Sequence, residues 1–164
     1  MIYVTLGTMF LDFPRLIHAV DDIAHARGER CVMQLGLSPT RPQHAEWFDY
    51  RPHEALLALQ AEARVIVAHA GIGVTRDALR VRRPLILVPR LRRYREHMND
   101  HQIDIARAVA QRGWGAMVHD TAELPALIAA PPAPPAQYAP TRGPLLDAVR
   151  DFVAAVAEGR AACR

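Results

Sequence analysis

Apolar positions along the chain fall into two kinds of run. Ile2-Tyr3-Val4, Cys31-Val32-Met33, Val65-Ile66-Val67-Ala68 and Leu85-Ile86-Leu87-Val88 are short, unbroken and rich in β-branched residues, and Gly, Pro or polar residues bound them. That is the pattern of strands buried on both faces. Between these runs the apolar residues recur at helical spacing, as in Leu16, Ile17, Val20, Ile23 and Ala24, then Val74, Ala78, Leu79 and Val81. The pattern predicts strands over 2–6, 31–35, 47–50, 65–68, 85–88 and 116–118. Helices are predicted from Pro14, which suits a first turn, to near Gly28, and over 53–63, then from near Gly71 to Pro84, and over 99–112 and 121–129. Strand and helix alternate, so the fold class is α/β: a Rossmann-like parallel sheet with helices on both faces, over residues 1–129.

The pattern then changes. Ala130-Pro131-Pro132-Ala133-Pro134-Pro135 excludes helix and inner strand, so 130–143 is read as a stiff linker. Leu145, Leu146, Val149, Phe152, Val153 and Val156 make one apolar stripe on a helix over 144–158. That helix either folds back on its own domain or docks on a partner chain.

Composition narrows the picture only slightly. The 164 residues are 51% hydrophobic and 23% charged, which suits one globular domain and excludes a disordered chain. All 20 basic residues are arginine and the net charge is +3. That balance suits a nucleic acid, an anionic sugar nucleotide or a lipid surface equally, but aromatics at 6% leave few platforms for stacking bases. Cys31 sits in an apolar run and Cys163 in the tail, with no metal spacing between them. Met1 runs straight into a strand and no apolar run nears a membrane span, so a cytoplasmic chain is expected.

The candidate chemistry clusters between residues 64 and 102. A strand, the turn His69-Ala70-Gly71-Ile72-Gly73 and a helix form a β-α-β unit with the strand after Pro84. Glycines at a helix start let an anion approach free N–H groups, although Gly71 and Gly73 equally suit a plain tight turn. Gly7-Thr8 closes the first strand in the same way, and Gly36 to Ser38 the second. Asp77 is placed to accept both hydroxyls of a ribose or to pair with Arg80 at i+3. Arg90, Arg92, Arg93 and Arg95 crowd one loop, either as a solvated basic segment or as partners for a diphosphate, a lipid pyrophosphate or anionic headgroups. His97 and His101 are spaced i, i+4 but lack a third ligand for zinc, so no metal is expected. Asn99-x-x-Gln102 reads as a capping box.

Taken together, H-A-G-x-G-x-x-x-D-A-L at 69–79, P-L-I-x-V-P at 84–89, E-H-x-x-x-H-Q at 96–102 and the opening I-Y-V-T-L-G-T resemble the C-terminal domain of glycosyltransferase family 28, over roughly residues 2–129. The short stand-alone members are the most similar: bacterial exopolysaccharide subunits, often glucuronosyl- or galactosyltransferases, themselves similar to the catalytic subunit of the dolichol-linked N-acetylglucosaminyltransferase. The resemblance implies the donor-binding half of a GT-B fold and a hexosyltransferase using a UDP-sugar, with no cofactor. Donor contacts would come from Gly7, Thr8, His69, Ala70, Gly71, Ile72, Gly73, Thr75, Asp77, Arg90, Glu96, His101 and Gln102. Asp77 is shorter than the family's usual Glu, and Arg82-Arg83 replaces its usual Gly-Lys. His97 is the one in-chain candidate base; the resemblance otherwise places the base, with a polyprenyl-diphosphate-linked acceptor, on a separate membrane-associated subunit. The chain would then sit at the cytoplasmic face of the inner membrane through that partner. Glucuronate is the first expectation for the sugar and galactose the next. A non-catalytic enhancer subunit is the alternative. An unrelated dinucleotide or nucleic-acid module is disfavoured because Gly7-Thr8-Met9-Phe10 lacks G-x-G-x-x-G spacing.

Overall fold

A computed structural model describes residues 1–136, 138 and 144–158, with the side chains of 144–146 excepted. Cys163 and the stripe positions Leu145 and Leu146 therefore lie outside what is described. Six strands form one sheet: β1 (Ile2–Thr5), β2 (Cys31–Gln34), β3 (Glu46–Phe48), β4 (Val65–Ala68), β5 (Leu85–Leu87) and β6 (Ala116–Met117). Their order is β3-β2-β1-β4-β5-β6, and every pairing is parallel. The helices are α1 (Pro14–Ala26), α2 (His53–Glu62), α3 (Ile72–Arg80), α4 (Gln102–Gln111), α5 (Leu124–Ala129) and α6 (Pro144–Ala157).

The period of two along each strand divides the apolar residues between two cores. Ile2, Val4, Cys31, Met33, Val65, Val67 and Ile86 face α1 and α5, meeting Leu16, Ile17, Val20, Leu124 and Ile128. Tyr3, Val32, Ile66, Ala68, Leu85 and Leu87 face the other way, against Ala78 and Leu79 of α3 and Ala106 and Val109 of α4. Because both faces are covered, the central strands are apolar throughout rather than alternating with polar residues. Their two polar members satisfy each other: the Thr5 hydroxyl donates to Gln34 Oε1, and Gln34 Nε2 donates to the Gly7 carbonyl at 3.1 Å.

Two local expectations change. The helix expected from Asn99 begins at Gln102, and its N-cap, His101, makes no capping side-chain bond. Asn99 Oδ1 instead accepts the His101 backbone N–H, while Gln102 Oε1 accepts the Arg90 N–H at 3.1 Å. Gln102 is drawn to the neighbouring loop because burial leaves the Arg90 N–H in need of an acceptor. A capping box does occur, at Asp120 and Glu123, and it starts the short 3-10 turn that leads into α5. In α6, Val149, Phe152 and Val153 are 50%, 49% and 59% exposed.

Candidate functional site

The strand order reverses between β1 and β4, and ligands of open parallel sheets sit outside the carboxyl ends at such a point. The turns after β2, β1 and β4 are stacked side by side there through glycines. Gly36 has φ +62°, and a Cβ on it would collide with the Gly7 carbonyl oxygen. Gly7 has φ +72°, and a Cβ there would collide with the His69 ring; one on Gly71 would strike the same ring. The two glycines flagged by the sequence thus make room for a histidine as well as for backbone geometry.

His69 fills the crevice rather than facing solvent. Its ring is buried, with Nδ1 3.4 Å from the Thr5 carbonyl. Burial, helped by the Arg90 charge, lowers its pKa from 6.5 to about 4, so the imidazole is neutral at pH 7. Beyond it α3 begins without a side-chain cap and without an acidic residue in its first turn. The N–H groups of that turn have no partner within the helix. Gly73 sits in this turn with open space where a Cβ would be, and its φ is not positive. Neither packing nor backbone geometry within the described residues requires a glycine here, and the helix start is left open to solvent. Ala70 is buried, Ile72 is 72% exposed, and the buried Thr75 hydroxyl has no hydrogen-bond partner among the described residues. Thr8 is exposed at the neighbouring turn.

Asp77 lies four residues after Gly73 and so on the same face of α3. It is only 8% exposed, and the alternative pair with Arg80 is not among its ion pairs in the described residues. Its Oδ1 accepts from Arg76 Nε and Nη2, both at 3.2 Å, and its Oδ2 lies 3.6 Å from His53 Nε2 at the start of α2. His53 is a member of the site that sequence reading missed, because only the fold brings α2 to α3.

Three residues expected on the donor side belong to the scaffold. Arg90 is fully buried; its guanidinium donates to the carbonyls of Leu6, Leu11, Asp12 and Glu96 and lies over the Phe13 ring. Burial lowers its pKa to about 10, so it stays charged at pH 7, but it is not a free cation of the loop. Glu96 is buried and accepts from Arg15 Nε at 2.7 Å, Arg15 Nη2 at 2.9 Å and the Leu91 N–H at 3.0 Å. Gln102 is spent on Arg90, as described. These placements have one cause: long polar side chains beside a buried loop satisfy its backbone first.

His97 and His101 do not share a helix face, because His97 precedes α4. Their rings meet edge to face, with centroids 4.6 Å apart. His97 is half-buried, and its Nδ1 accepts the Asn99 N–H at 3.3 Å, with no hydrogen bond at Nε2 among the described residues. Partial burial, then the nearby His101 and Arg90, hold its pKa below the usual histidine value. Among the described residues no group of three or more His, Cys, Asp or Glu gathers as metal ligands.

The glycosyltransferase family 28 C-terminal domain matches residues 1–145 of this chain. No curated protein sequence matches. Solved structures share the fold. The glycotransferase of kitacinnamycin superposes with TM-score 0.59 at 20% identity, over 78% of this chain and 33% of that one. SsfS6 from Streptomyces sp. SF2575, a glycosyltransferase complexed with thymidine diphosphate, gives 0.53 at 21%, over 96% and 37%. The solution structure of ALG13 gives 0.57 at 18% identity, over 81% of this chain and 87% of that one. The chain thus spans about a third of the length of the first two and most of the third.

Proposed function

Because the chain belongs to the glycosyltransferase family 28 C-terminal domain family, we propose that it binds the donor of a two-component inverting glycosyltransferase. The donor is a UDP-sugar, with glucuronate the first choice and galactose the next. The acceptor is a polyprenyl-diphosphate-linked sugar in exopolysaccharide or capsule synthesis. The observation that carries this reading is the uncapped α3 start, opened at Gly73 and followed one turn later by Asp77 on the same face. The diphosphate would take the free N–H groups, and the Asp77 carboxylate the ribose hydroxyls. Thr8 stands at the adjoining turn as a further donor.

In the transfer, the acceptor hydroxyl oxygen bonds to the anomeric carbon as the bond from that carbon to the diphosphate oxygen breaks. The bonding electrons leave with UDP, where the helix start offsets the growing charge. The acceptor proton goes to a base. His97, neutral at pH 7 and with no hydrogen bond at Nε2 among the described residues, is the group of this chain proposed for it; a base on the partner is the other assignment. No metal or cofactor is invoked. The partner is proposed to be a membrane-associated subunit that presents the acceptor, and the exposed apolar face of α6, reached through the 130–143 linker, is the element proposed to dock it. A non-catalytic nucleotide-binding or enhancer subunit is the second reading. The locking of Arg90, Glu96 and Gln102 in the scaffold favours it, since it leaves fewer side chains for chemistry.

Titration calorimetry with UDP, UDP-glucuronate and UDP-galactose tests donor binding. Gly73→Leu fills open space, so the chain should keep its thermal transition and lose binding. Asp77→Ala should weaken binding by about tenfold or more, the loss of a charged hydrogen-bonding group. A Gly73→Leu chain that binds as the parent does would sink the reading. Transfer assays with the partner, comparing Gly73→Leu, then separate enzyme from enhancer, and His97→Ala tests the in-chain base.

A further inference from the structure

The loops after β1 and β5 are clamped into one platform on the α1 side of the sheet edge. Arg15 holds Glu96 through two bonds and the Pro89 carbonyl through a third, at 2.7 Å. Arg90 Nη1 in turn holds the Leu11 and Asp12 carbonyls at 2.8 and 3.0 Å. From this rigid base three large apolar side chains project into solvent: Phe10 at 63% exposure, Tyr94 at 51% and Met98 at 71%. Interleaved with them, Arg92, Arg93 and Arg95 are exposed, and none has an acidic partner among the described residues.

The acids nearby are already occupied. Glu96 belongs to Arg15; Asp12 accepts from Ser38, Thr40 and its neighbour Phe13; Asp100 accepts the Arg92 backbone N–H. None of the three outward guanidinium groups forms an ion pair among the described residues, and they stand beside apolar tips. We propose that this loop pair docks the chain directly on the anionic surface of a phospholipid bilayer, with Phe10, Tyr94 and Met98 entering the headgroup boundary and Arg92, Arg93 and Arg95 pairing with lipid phosphates. The arrangement fits a lipid rather than a protein groove. The apolar residues are isolated tips on two loops, each beside a cation, and they supply the two weak signals that peripheral binding needs. Arg93 stacked on the Tyr94 ring, 4.7 Å from its centroid, places charge and amphipathic ring at one level. Asp77 and the α3 start are on a different element from Phe10, Tyr94 and Met98, so donor titration without vesicles and flotation without donor read the two proposals separately.

Flotation of the full chain with vesicles tests this. Vesicles of equal parts phosphatidylglycerol and phosphatidylcholine should carry the protein, vesicles of phosphatidylcholine alone should not, and added salt should release it. Arg92→Ala with Arg93→Ala should lower partitioning by about 25-fold, roughly fivefold for each arginine. Phe10→Ser with Met98→Ser should lower it by about tenfold even at low salt. Arg82→Ala with Arg83→Ala removes the same charge from an exposed pair with no exposed large hydrophobic adjacent to it in the chain, and should change little. Parent protein that stays unbound without another protein, binds neutral vesicles equally well, or loses as much through Arg82 and Arg83 as through Arg92 and Arg93 would overturn the proposal.

Discussion

The two edges of the sheet are built on different principles. At the amino edge, charges are matched where strands begin. Glu29 gathers Arg64 at 2.6 Å, the Met1 amino group at 3.4 Å and Arg27 at 3.6 Å, and Arg30 meets Glu46 at 2.7 Å. At the carboxyl edge, the turns are packed through glycines around a neutral histidine, and the loops leave apolar and cationic groups facing out. Apart from Trp47 and three residues of α6, each of the exposed large hydrophobics among the described residues follows the carboxyl end of a strand: Phe10, Leu37, Tyr50, Ile72, Tyr94 and Met98. One edge is finished by its own side chains; the other leaves large apolar side chains exposed. Loops that carry function are held on a scaffold that does not itself need them to be satisfied.

Glycine substitution should break this contrast most sharply. Gly36 and Gly28 both have positive φ, but a Cβ at Gly28 meets nothing within 4 Å whereas one at Gly36 strikes the Gly7 backbone. Gly36→Ala should cost about 3–4 kcal/mol, left-handed strain plus overpacking, and Gly28→Ala about 1 kcal/mol from strain alone. Urea unfolding midpoints of the two variants measure the difference.

Acid should attack the carboxyl edge before the amino edge. The folded pKa of His69 lies below its unfolded value, so its contribution is fully present above about 6.5 and is lost as pH falls toward about 4. Over that window the loss should reach about 3 kcal/mol, and His69→Gln should flatten the slope of stability against pH. Glu29, held low first by its hydrogen bonds from Arg64, gives way only below the ordinary glutamate range. A stability curve that is flat from pH 6.5 to 4.5 in the parent chain would contradict the buried neutral imidazole.

The ion pairs should separate the edges again, with a smaller effect. Arg15→Ala leaves the buried Glu96 carboxylate with only the Leu91 N–H, and should cost about 2 kcal/mol. Arg30→Ala removes a pair that is more than half exposed on both sides, and should leave the unfolding midpoint where it is. Equal losses in the two variants would mean that the carboxyl-edge clamp is no more than a surface ion pair.

The sequence by itself determined the sheet and much of the path to the site. Runs such as Val65–Ala68 and Leu85–Leu87 are short, apolar and bounded by breakers, and burial on both faces admits only a covered parallel strand there. The helix after Gly71 was legible for the same local reason, since periodicity and a glycine turn are properties of neighbours in the chain. Tertiary structure alone decided what each polar side chain does. Nothing within a few residues of Arg90 shows that its guanidinium serves carbonyls about 80 positions earlier, or that Glu96 answers Arg15. Gly7 and Gly71 read as turn residues, yet a Cβ on either would collide with the same buried ring. Asp77 was legible as a carboxylate on α3, but His53 reaches it only once α2 and α3 pack on the same face of the sheet. Backbone form follows from local sterics and hydrophobic period; the roles of charged and polar groups depend on which unsatisfied partners the fold brings within 3 Å or so of them.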